Sequence, residues 1–224
     1  MFIRPPVSSP PWLEWLAIPA LGVAALMALN APAQAQPRPS SFAAIGGATS
    51  VPFGWMDFCR RQPGDCRDRN AVALDADLSN PRAWATLERI NRQVNRGVES
   101  VTDMEQFGVE DYWTYPDTGR GDCEDYVLLK RRMLRDAGFP IQSLLITVVR
   151  DENDEGHAIL TVKTTHGEYV LDNKREAILP WQNTGYRFVK RQSQTDANVW
   201  VQIGPPSEAM VASIAPRGAR AKLR

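Results

Sequence analysis

The run Gly119-Arg120-Gly121-Asp122-Cys123-Glu124-Asp125-Tyr126 decides how the rest of this chain is read. Val127, Leu128, Met133 and Leu134 follow it at helical spacing, and Gly138-Phe139-Pro140 stops the pattern. A helix therefore begins at Asp122 or Cys123. A cysteine at a helix start faces unpaired backbone N–H groups and the positive end of the dipole. Both stabilise a thiolate and lower its pKa, and the same N–H groups could help hold an oxyanion. The competing reading is an inert, buried cysteine, but Gly121, Asp122, Glu124 and Asp125 make a polar setting for that.

Downstream the period changes from helical to alternating. Leu144 to Val149 reads as a buried strand, and Asp151 to Gly156 as an acidic, solvated turn. Residues 157–162 and 168–172 form a hairpin closed around Thr165-His166-Gly167. The chain has two histidines. His166 belongs to the hairpin turn, so His157, at a strand start, is the candidate base that takes and returns a thiol proton. A histidine serving only the core is the alternative. If the hairpin pairs residues so that Asp172 lies opposite Ile159, the carboxylate stands diagonally from His157 on one face. It could then orient the imidazole as a third catalytic member, or simply cap a strand end. A one-residue slip would send it to the other face.

Upstream, Asn80 as N-cap and Pro81 at the first position open a helix carrying Trp84, Leu87, Ile90 and Val94, ending near Gly97. Residues 51–70 read as loop. Further strands are expected near Tyr186–Lys190 and Val199–Ile203. Helices first and an antiparallel sheet afterwards is an α+β order. The domain so outlined spans 51–205, with a flexible lead-in at 36–50 and a basic tail at 206–224.

Residues 1–35 read as an export signal. Arg4 precedes an apolar stretch from Trp12 to Leu29, and Ala33-Gln34-Ala35 has the small-x-small form of a cleavage site. An uncleaved anchor is the alternative. Export implies the periplasm, where cysteines tend to pair. Cys59 and Cys66 flank a Pro63-Gly64 turn and could close a small disulfide loop, leaving Cys123 as the odd thiol. Lys+Arg and Asp+Glu both total 26, which argues against nucleic acid as a partner. The cluster Lys130-Arg131-Arg132, with Arg135, reads as the solvated side of its helix. At 43% hydrophobic residues the chain can bury one core.

These blocks, in this order, resemble the bacterial transglutaminase-like cysteine proteinase family, which includes LapG-type periplasmic proteases that release biofilm adhesins. The likeness is carried by GDCEDYVLLKRRML, GHAIL, YVLDN, LPWQNTGYRF and WVQI, with Asn91, Asn95 and Glu110-Asp111-Tyr112-Trp113 upstream. It implies a papain/transglutaminase-like α+β fold and a Cys123–His157–Asp172 triad. It also implies calcium held by Asp122 and Glu124, a large surface adhesin as substrate, and an inner-membrane cyclic di-GMP receptor as regulator. Clustered carboxylates do suit Ca²⁺, though Asp122 and Glu124 could instead be ordinary N-terminal helix charges. The same triad would serve an amidase or a cross-linking transglutaminase, and a non-catalytic binding module with a structural Cys123 is the third possibility.

Overall fold

The structure, a computed structural model, describes residues 41–67 and 71–204. The expectations for the signal segment and for the tail beyond residue 204 lie outside them. In chain order the elements are β1 (Ile45–Thr49), α1 (Phe53–Arg61), α2 (Pro81–Gly97), β2 (Glu99–Ser100), α3 (Asp103–Phe107), β3 (Arg120–Gly121) and α4 (Cys123–Asp136). After them come β4 (Leu144–Arg150), β5 (Gly156–Thr164), β6 (Gly167–Leu171), β7 (Leu179–Pro180), β8 (Arg187–Gln192) and β9 (Trp200–Ile203). Seven strands form one sheet in the order β1-β9-β8-β4-β5-β6-β7, every neighbouring pair antiparallel. This is the expected α+β architecture.

Helix α2 starts where its cap chemistry puts it. Asn80 accepts the Arg82 N–H on its side chain, and Pro81, which has no N–H to satisfy, takes the first position. Leu87, Ile90 and Val94 bury one stripe of the helix. Together with Val127, Leu128 and Leu134 of α4 they pack on Ile146, Leu160 and Val162 of the sheet. A smaller apolar cluster of Val149, Ile159, Val170 and Tyr186 forms separately. With both faces of β4 and β5 covered, these strands read as nearly continuous hydrophobic runs.

Several expectations are corrected. Residues 45–49, read as part of a flexible lead-in, form the edge strand β1, paired antiparallel with β9. Residues 53–61, read as loop, form α1, which buries Trp55 and Phe58. The most consequential correction concerns the basic cluster on α4. Lys130 is 0% and Arg131 5% exposed, because the stripe Val127–Lys130–Leu134 faces the core. Arg131 there donates Nε–H to the Leu144 carbonyl at 3.1 Å. The acidic turn after β4 is only partly solvated: buried Asp151 accepts the N–H groups of Asn153 and Glu155 and binds Lys174 Nζ at 2.6 Å.

Candidate active site

Cys123 is the first residue of α4, held there by the short parallel pair β2–β3 just before it. Val101 N–H donates to the Gly121 carbonyl, which ties this approach to the start of α3. No side chain fits at Gly121, where a Cβ would lie 2.5 Å from an Asp125 carboxylate oxygen. Close packing at the helix start thus explains the glycine at position 121. The Cys123 thiol is the one free cysteine among the described residues, and it donates to the Glu124 carboxylate at 2.9 Å. Burial first, and the Glu124 charge second, push this thiol well above its usual range, while the Ala158 N–H near the sulfur pulls the other way. The lowered pKa expected from the helix dipole is therefore outweighed by desolvation and an adjacent carboxylate.

Ala158 is the chain neighbour of His157, the second residue of β5. The imidazole is buried, and its Nε2 lies 2.9 Å from Asp172 Oδ1. This leaves Nδ1 as the ring nitrogen that Asp172 does not engage. The hairpin register pairs Leu160 with Leu171, so the next residue, Asp172, continues opposite Ile159 on the diagonal from His157. Burial opposes ionisation of Asp172. Hydrogen bonds from His157, the Tyr186 hydroxyl and the Lys174 N–H outweigh it and hold the carboxyl below its usual range.

Four supporting residues were not singled out for these roles from the sequence. Tyr186 donates its hydroxyl to Asp172 Oδ2 at 2.6 Å, and its ring meets the His157 ring edge-on with centroids 5.7 Å apart. Arg175 lies over the Tyr186 ring, its guanidinium 5.1 Å from the centroid. On α2, Asn95 donates to the Asp172 carbonyl at 2.8 Å and Asn91 to the Glu176 carbonyl at 3.0 Å. Spaced one helical turn apart, the two asparagines clamp the segment that carries Asp172.

At the start of α4, carboxylate oxygens of Asp103, Asp122 and Asp125 all lie within 4.8 Å of one another. Asp125 is 0% exposed; its Oδ1 accepts the Thr114 N–H, whereas its Oδ2, like Asp122 Oδ1, has no hydrogen-bond partner among the described residues. Burial, then the Glu124 charge, pushes Asp122 up to about 8. Burial, then mutual repulsion with Asp122 and Asp103, pushes Asp125 up to about 8. Burial likewise raises Asp103 to about 6. Unpartnered buried oxygens in a set of hard, anionic donors fit a divalent cation of the calcium kind. Of the two ligands expected, Asp122 belongs to this cluster. Glu124 is instead placed against the thiol, one residue further along the first turn of α4. Asp103 and Asp125 were missed. Asp103 is 19 positions before Asp122 and sits in the first turn of α3 under a Thr102–Glu105 capping box, so only the fold brings it here.

Away from the site, Cys59 and Cys66 are disulfide-bonded with Cα atoms 5.7 Å apart. His166 is exposed in the hairpin turn, as expected.

A family model described as bacterial transglutaminase-like cysteine proteinase matches residues 45–208. Among solved structures, Legionella pneumophila LapG is 25% identical with a TM-score of 0.44, over 51% of this chain and 65% of that one. A calcium-bound LapG from the same organism is 22% identical with a TM-score of 0.47, over 62% of this chain and 83% of that one. An EGTA-treated LapG is 25% identical with a TM-score of 0.46, over 55% and 72%. No curated protein matches this chain.

Proposed function

Because the chain belongs to the bacterial transglutaminase-like cysteine proteinase family, we propose that it is an exported cysteine endopeptidase in which Cys123, His157 and Asp172 form the triad. The observation that carries this is the buried His157–Asp172 bond at 2.9 Å, set on the strand whose next N–H approaches the Cys123 sulfur. His157 Nδ1 takes the thiol proton, and the sulfur attacks the scissile carbonyl carbon. The oxyanion that forms finds backbone N–H groups at the start of α4. The imidazolium then protonates the leaving amine, and water, deprotonated by the same ring, hydrolyses the thioester. Asp172 fixes the ring tautomer throughout and stabilises the imidazolium.

Calcium belongs to this reading, with Asp103, Asp122 and Asp125 as the residues that would hold it. The support is the pair of unpartnered oxygens in that cluster. Bound there, the cation would neutralise three crowded carboxylates next to the nucleophile. The narrower expectations, a periplasmic location, a large surface adhesin as substrate and an inner-membrane cyclic di-GMP receptor as regulator, extend the same proposal from the family's character.

The test is cleavage of protein substrates, including an adhesin domain from the same cell, by the purified chain and by Cys123→Ala, His157→Ala and Asp172→Ala. Loss of cleavage in all three supports the triad. Amine incorporation without cleavage would point to a transglutaminase, and full activity in Cys123→Ala would sink the proposal.

A further inference from the structure

Between the end of β6 at Leu171 and the start of β7 at Leu179 the chain forms no helix or strand. Asp172 opens this segment, so its carboxylate stands where the sheet register gives out. From one side α2 holds the backbone, through the bonds of Asn95 and Asn91 to the Asp172 and Glu176 carbonyls. From the other side the turn between β4 and β5 holds two side chains. Asp151 Oδ2 accepts Lys174 Nζ at 2.6 Å, and Glu152 pairs with Arg175.

Lys174 reaches the triad through its backbone. Its N–H donates to Asp172 Oδ1 at 2.9 Å, the same oxygen that lies 2.9 Å from His157 Nε2. Asp151, for its part, is tied to the strand of His157. Arg150 pairs with Gly156 across β4 and β5, and the Asp151 N–H donates to the Glu155 carbonyl at 3.0 Å. Asp151 Oδ1 accepts the N–H groups of Asn153 and Glu155 at 2.9 and 3.0 Å. One carboxylate therefore joins the turn that leads into His157 to the loop that leads out of Asp172.

The side chain of Asp151 is 1% exposed and that of Lys174 42%. An ion pair with one partner in water contributes little to stability, so the effect of this pair belongs in geometry more than in melting temperature. Geometry is where a small contact can matter: a shift of about 1 Å in a reacting group can cost on the order of a hundredfold in rate. The bond from Lys174, with those from the turn, holds the Asp151 carboxyl down at about 2, so the clasp stays charged at neutral pH.

We infer that Asp151 is a positioning residue for the reaction: its clasp on Lys174 fixes the loop after β6 so that a backbone N–H stays on the Asp172 oxygen that faces His157. The inference rests on the triad reading and adds to it a residue that acts through Lys174 and Asp172 without touching substrate.

The experiment has two arms, both on full-length protein with calcium present. Asp151→Asn keeps an oxygen for the two turn N–H groups and puts an amide where Lys174 Nζ needs an acceptor. Steady-state kinetics on a cleaved peptide should show kcat lower by roughly three- to thirtyfold, with KM and Tm little changed. Lys174→Met, altered at an exposed amine, should lose a similar factor and keeps the test open should Asp151→Asn fold poorly. The double variant should be no worse than the worse single one, because both remove the same interaction. An unchanged kcat in the folded single variants, a loss carried by KM, or losses that multiply in the double variant would overturn the inference. The second arm needs no activity: it follows amide hydrogen exchange at Lys174 by NMR. Exchange there should quicken by about tenfold or more in Asp151→Asn, and an unchanged rate overturns the inference. Failure of the triad itself would appear separately, as activity surviving in His157→Ala.

Discussion

The Tyr186 hydroxyl donates to Asp172 Oδ2 at 2.6 Å, on the carboxylate oxygen that His157 leaves free. Burial first and the Asp172 carboxylate second push the phenol upward, so it stays a proton donor at every pH at which the protein would work. A hydrogen bond to a charged group contributes about 1.5–3 kcal/mol. Tyr186→Phe removes it and keeps the ring that packs against His157. We expect kcat to fall roughly ten- to a hundredfold with KM little changed, measured by steady-state kinetics on a cleaved peptide. An unchanged kcat would show that Asp172 is held well enough by its other partners.

Glu124 stands directly against the Cys123 thiol. Its carboxylate accepts the Cys123 thiol at 2.9 Å, and after burial it is the largest influence keeping the proton on sulfur. Glu124→Gln removes the negative charge, so the alkylation profile of Cys123 should shift to lower pH, with faster reaction near neutrality. A profile that does not move would leave burial and the Asp122 charge as the causes.

The three-carboxylate cluster makes calcium response depend on pH in a definite direction. Asp122 and Asp125 are raised to about 8 and Asp103 to about 6 from an ordinary value of 3.8, so the folded protein holds these protons more tightly than the unfolded chain. Their ionisation therefore costs stability, and the cost grows as pH rises from about 4 through about 8. In EGTA the melting temperature should fall over that window. Added calcium, competing with protons for the same oxygens, should raise it more near pH 8 than near pH 5.5. Asp125→Asn should be more stable than wild type in EGTA near pH 8 and respond weakly to calcium. Equal calcium shifts at both pH values would argue that the metal binds elsewhere.

The Cys59–Cys66 bridge closes a short loop, with the two residues separated by 7 in sequence. Chain-entropy reasoning assigns such a loop about 2 kcal/mol, or roughly 5 °C in Tm for a domain of this size. The loop also carries Asp65, which accepts from Arg135 Nη1 at 2.7 Å and from the Tyr115 hydroxyl at 3.0 Å, binding it to the far end of α4. Cys59→Ser/Cys66→Ser should melt earlier by about that amount, and so should wild type under reductant. Calorimetry of both would show it, and an unchanged Tm would mean that the hydrogen bonds of Asp65 and of the Cys66 carbonyl secure the loop without the bridge.

Residues whose role depends on neighbours close in sequence were readable at once. Asn80-Pro81 marked the start of α2, and Thr165-His166-Gly167 marked the β5–β6 turn, while the register that puts Asp172 diagonal to His157 was one of those the sequence allowed. Strand β1 was not readable, since its five residues include Gly46 and Gly47 and owe their conformation to pairing with β9. Helix α1 was obscured by the cysteine and the Pro63-Gly64 turn just beyond it. Lys130 and Arg131 were misplaced because a run of cations suggests solvent, whereas helical periodicity allots positions to the core without regard to charge.

By itself, then, the sequence indicated the cysteine at its helix start and the histidine and aspartate on adjacent strands. Those features rest on local rules: capping, turn chemistry and the two backbone periods. The tertiary structure alone decided that Asp103 joins Asp122 and Asp125, that Tyr186 completes the partners of Asp172, and that Lys130 lies in the core. Each of these depends on side chains far apart in the chain meeting in a medium of low dielectric. Charges and hydrogen bonds acquire their strength there from burial, which packing confers and linear spacing does not.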